Sequence, residues 1–172
     1  MAIHANSTPA PRVRARRSVT NAKPNPLIPF QSLDDIPDRY AMVLAGLCLE
    51  PELKDGTILG FSRSEPYAVG DFCIFILRPE LVPPGRHQTQ IKRLFMSPPP
   101  RTRLPYREHP DSQVHSLVIA EQLNPPRRFA IECQNLIAIH KCTGRVLPTA
   151  ETAGLAEQLV AARRRASSRS AS

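Results

Sequence analysis

Nineteen of the 172 residues are proline and only seven are glycine, which restricts what the chain can fold into more than any other feature. Inside a helix, proline removes a hydrogen bond and clashes with the preceding turn; inside a central strand it interrupts the ladder. Regular structure must fit between the prolines, as short strands joined by rigid turns. Prolines at positions 9, 11, 24, 26 and 29 exclude the packed helices of a helix-turn-helix module near the start of the chain. Prolines at 98, 99, 100, 105 and 110 make "SPPPRTRLPYREHPD" an insertion without regular structure.

The stretches between them are apolar and strand-like. "YAMVLAG" (40–46), "TILGFS" (57–62), "FCIFIL" (72–77) and "TQIKRLFM" (89–96) come first, and "VHSLVIAEQL" (114–123), "RRFAIE" (127–132) and "NLIAIHKCTGRVL" (135–147) follow. Asp55-Gly56 and Gly70-Asp71 supply turns between them. The continuous apolar run 72–77 is of the kind buried on both faces of a sheet. The expected fold is mainly β, an antiparallel domain over residues 32–148, preceded by a disordered basic tail, 1–31. "TAETAGLAEQLVAARRR" predicts an amphipathic helix over 149–166, capped by Thr149 or Thr152 and ending in arginines, with a last tail at 167–172. With aromatics at 5% and no tryptophan, the core must consist chiefly of Val, Ile and Leu.

The net charge of +8 lies at the ends. Five basic residues in the first thirty and four in the last ten, with no acid in either stretch, leave residues 31–162 at −1. Such tails favour weak, salt-sensitive contact with phosphates, but no base-reading element accompanies them. Cys48, Cys73, Cys133 and Cys142 lack the paired spacing of a zinc site, and no metal or cofactor is implied. Cys73 and Cys133 sit among apolar residues and read as small core side chains. No charged segment followed by a long apolar one marks a secretory signal, and no run of about 18 apolar residues spans a membrane. A cytoplasmic location with reduced thiols is the expectation. His87, His109, His115 and His140 fall on separate segments, Asp34, Asp35 and Asp38 read as caps and turns, and Arg127-Arg128 reads as a solvated turn.

The remaining pattern carries chemistry. "GLCLEP" is followed by "LKDG" and an apolar strand, then by "VGD" and a second apolar strand, "IKRL", and a closing "GRV". This order resembles the peptidase domain of the LexA and phage-repressor family, relatives of the signal peptidases, over about residues 39–147. The resemblance implies that Cys48 stands at the serine nucleophile and Lys92 at the general base, with Leu49 at a methionine position. Glu50, Pro51, Gly70 and Asp71 match the family directly, and Gly144-Arg145-Val146 matches its closing strand. A lysine activates a hydroxyl only when its amine is neutral, and burial among apolar neighbours favours that form. Backbone N–H groups around Cys48 would then form the oxyanion hole.

Two departures matter. A thiol beside lysine forms a thiolate–ammonium pair, but sulfur displaces a geometry set for oxygen. Leu47 stands where the family offers a polar residue. The resemblance therefore leaves two outcomes open: a weak Cys48–Lys92 peptidase, or a pseudopeptidase that binds a peptide or protein partner. Ala45-Gly46 abuts the nucleophile and cannot bend onto it, so self-cleavage of the LexA type is not expected. A homodimer is implied by the resemblance alone. The alternative is an accessory protein that self-associates through its β body and contacts nucleic acid through its tails.

Overall fold

Strand residues alternate their side chains between two faces, so a strand placed in the middle of a covered sheet must be apolar on both. That is the situation of the 72–77 run, and the rest of the molecule is arranged around it. A computed structural model describes residues 27–99, 104 and 116–147. Its seven strands are β1 (Arg39–Val43), β2 (Ile58–Ser62), β3 (Phe72–Leu77), β4 (Thr89–Met96), β5 (Leu117–Leu123), β6 (Pro126–Glu132) and β7 (Leu136–Arg145). They form one sheet in the order β1-β2-β7-β3-β4-β5-β6, each pair antiparallel. The chain lays down a hairpin, β1–β2, and a meander, β3 to β6. The long β7 then returns to pair with β2 on one side and β3 on the other.

Each face carries its own apolar cluster. Leu59, Phe61, Ile74, Ile76 and Ile91 meet Phe30, Ile36, Leu44, Leu49 and Leu53 on one side. Cys73, Phe75, Leu94, Val118, Ala120, Leu136 and Ile139 form the other, against which Leu104 of the proline-rich insertion packs. Residues 73–76 of β3 are buried throughout, as a strand covered on both faces requires. β2 and β7 cross closely at Gly60, where a Cβ would stand 2.7 Å from Thr143 Oγ1 and 2.9 Å from Val146 Cγ2. Only glycine leaves room at this position for the Thr143 and Val146 side chains.

The composition assigns residues 27–30 to the tail, but in the structure they are packed onto the body. Gln88, fully buried, accepts the Phe30 N–H at 3.0 Å and donates to the Phe30 and Leu77 carbonyls at 2.6 and 2.8 Å. Its own N–H donates to the Leu27 carbonyl at 2.8 Å. One amide side chain thus does the pairing of an absent strand. The expected helix at 149–166, the tails 1–26 and 167–172 and most of the 97–111 insertion lie outside the described residues. Among the described residues, no helix is long and apolar enough to cross a membrane.

Candidate functional site

The loop that carries Cys48 is tied at both ends. Leu44 donates to the Thr57 carbonyl at 2.8 Å and Gly56 to the Leu44 carbonyl at 3.0 Å, closing its neck. Gly46, at φ +99°, turns its N–H onto Asp55 Oδ1 at 2.6 Å. A residue with a side chain rarely adopts that φ, and the acidic residue of the Asp-Gly turn satisfies the N–H it exposes. Leu49 and Leu53 then anchor the loop in the core. From outside, Arg93 pairs with the Glu52 carboxylate, while Arg145 donates to the Glu52 carbonyl at 2.9 Å.

The loop ends where two strands part. β4 and β5 pair as far as Arg93 and Glu121. Beyond that point the Leu123 and Asn124 N–H groups donate to the Cys48 carbonyl, at 2.8 and 3.1 Å. On β4, Lys92 is the first residue past the fork, and its Nζ donates to Gln122 Oε1 of β5 at 3.4 Å. The Cys48 main-chain carbonyl and the Lys92 amine are therefore both bound by residues 122–124, at the end of β5 and just past it.

The thiol and the amine are not engaged with each other. Cys48 is half-buried and packs against the cluster that contains Leu49 and Ile91. Lys92 follows Ile91 and stands opposite Cys73 in the register, on the other face of the sheet. Its Nζ lies 5.9 Å from the centroid of the Phe129 ring, on β6. Among the described residues, no hydrogen bond joins Cys48 Sγ to Lys92 Nζ. Gln122 and Phe129 are not legible as site residues in the sequence, because nothing in "AEQLNPPRRF" marks them until the register is known.

The other motif residues hold the frame. Asp71 accepts the Ala68 N–H at 2.8 Å and pairs with Lys141 at 3.1 Å, and these partners hold its carboxyl below the usual range. Gly70 donates to the Leu94 carbonyl at 2.8 Å, joining the turn before β3 to β4. Gly144, at φ +118°, sits opposite Gly60 at the irregular crossing of β2 and β7. Of the remaining cysteines, burial pushes Cys73 up to about 12 and raises Cys133 and Cys142 as well, which suppresses their thiolates. His140 is buried with its Nδ1 2.9 Å from the Tyr40 hydroxyl, and burial pulls it down to about 4. Arg127 and Arg128 stand in β6 rather than in a turn. Among the described residues, no three His, Cys, Asp or Glu side chains converge as metal ligands would.

Comparisons with protein-family models, with curated proteins and with solved structures find no match to this chain.

Proposed function

We propose that the chain is a LexA-type, signal-peptidase-related β domain that works as a pseudopeptidase, holding an extended peptide at the fork between β4 and β5. One observation carries this reading. The nucleophile-type loop and the "IKRL" strand, far apart in the chain, converge on residues 122–124, so that the Cys48 carbonyl and the Lys92 amine are both bound there. Peptide binding is favoured over hydrolysis by the partner of the amine. Hydrolysis by this pair needs the thiol proton to pass to Lys92 before sulfur attacks the carbonyl. Lys92 instead faces the amide oxygen of Gln122, and the thiol packs against apolar side chains. Leu47, which is exposed beside Cys48, offers a peptide an apolar contact.

A thiol-reactive acyl probe tests the reading. Acylation of Cys48 is expected to be slow, to proceed without turnover, and to be unchanged in Lys92→Ala. Rapid acylation followed by release of the acid, with both steps lost in Lys92→Ala, would make the protein a working Cys–Lys peptidase and overturn the proposal.

A further inference from the structure

Two adjacent rows of side chains cross β4, β5 and β6, one on each face, and their charges are balanced differently. On one face the row runs Arg93, Glu121, Arg128, with Glu121 opposite both arginines in the register. Arg128 Nε lies 3.0 Å from the Glu121 carboxylate and Arg93 Nη1 lies 3.9 Å from it, and Arg93 also pairs with Glu52. On the opposite face, one residue along, the row runs Lys92, Gln122, Arg127. A neutral amide here occupies the place that a carboxylate holds in the first row. Gln122 offers its oxygen to Lys92 at 3.4 Å, and its Nε2 donates to the Asn124 carbonyl at 3.3 Å. Both cations lie beside one aromatic ring, with Lys92 Nζ 5.9 Å and the Arg127 guanidinium carbon 5.0 Å from the Phe129 centroid. Among the described residues, neither Lys92 nor Arg127 is paired with a carboxylate.

We infer that this row is a carboxylate-binding subsite for the extended peptide held at the fork. The carboxylate of an acidic side chain, or of a C-terminus, completes over Gln122 the pattern that Glu121 completes on the other face. The inference deepens the pseudopeptidase reading and rests on it for the peptide, while the charge argument belongs to this row alone. Two cations flanking a hydrogen-bonding amide beside an aromatic wall suit a flat, singly charged acid, because charge-assisted bonds to such an acid are the strong ones. The aromatic ring presents its negative face to the two cations and so favours their position beside it.

The test uses the full chain and random decapeptides displayed in two formats, one with blocked ends and one with a free C-terminus. Selected peptides are expected to carry Asp or Glu at one fixed position in the first format, or to depend on the free terminus in the second, which distinguishes the two sources of the carboxylate. Replacing that acid by its amide should weaken binding roughly tenfold, the scale of one charge-assisted bond at a partly exposed site. The difference should vanish in Gln122→Glu, which supplies an internal carboxylate, and in Arg127→Gln. Peptides that bind with no acidic preference would overturn the subsite but spare the pseudopeptidase reading. Failure to select any peptide would overturn both. Binding of a single-stranded oligonucleotide that is lost in the same two variants would assign the row to phosphate and overturn the inference.

Discussion

His140 is a buried residue whose charged form the fold disfavours. An unfolded histidine titrates near 6.5, whereas in the fold burial, with Arg63 adding to it, brings His140 down to about 4. Between those values the unfolded chain binds the extra proton, so stability is complete above pH 6.5 and falls as pH drops towards 4. The group that faces it, Tyr40, is held neutral by burial and offers no compensating charge. Urea midpoints measured across this window should fall by an amount worth up to about 3 kcal/mol, and His140→Gln should flatten the slope. The low-pH loss through Asp71 lies in a separate window, because its carboxyl titrates below the usual range. Gln88→Ala leaves the Phe30 main chain unpaired inside the body and should cost about 2–3 kcal/mol. Amide exchange at Phe30 should accelerate with it, since that N–H loses its partner.

Among the elements, the Cys48 loop depends on two kinds of tie. The Arg93–Glu52 pair is partly exposed, so Arg93→Gln should lower global stability by only about 0.5–1 kcal/mol. The same change should speed proteolysis within residues 47–53, because that pair binds the loop to β4. Asp55→Ala removes the acceptor from Gly46 and should loosen the neck of the loop, read as faster amide exchange at Gly46. At the β2–β7 crossing, Gly60→Ala pushes a methyl group into Thr143 and Val146. Both are β-branched and stiff, and the expected loss is about 1–3 kcal/mol in thermal or urea unfolding. The strands themselves are legible in the sequence, since period, proline position and Asp-Gly turns are local signals. Residues 89–96 and 72–77 form strands over those spans. The docking of residues 27–30 is not legible there, because it depends on a glutamine 58 positions away from Phe30.

For the molecule as a whole, β7 is the strand that makes the two parts one sheet. It is the last of the seven strands in sequence yet lies between β2 and β3, so within the sheet it is the strand that links the hairpin to the meander. Ile139→Ala, at a buried position of β7, should cost about 2–5 kcal/mol and should lower both parts together in one urea transition. Two separated transitions would show that the hairpin and the meander unfold independently. Pairing β7 with β2 closes a long loop, and refolding should fall in the millisecond-to-second range of sheets with distant pairings.

The order of strands and turns, the apolar run covered on both sides, and the neutral body between basic ends follow from residue type and spacing alone, because they rest on interactions among neighbours in the chain. The meeting of the 48 loop with β5, the partner taken by the Lys92 amine and the unequal charge rows on the two faces follow from register. A shift of one residue in a strand exchanges its faces, and no local signal records which pairing the whole sheet selects.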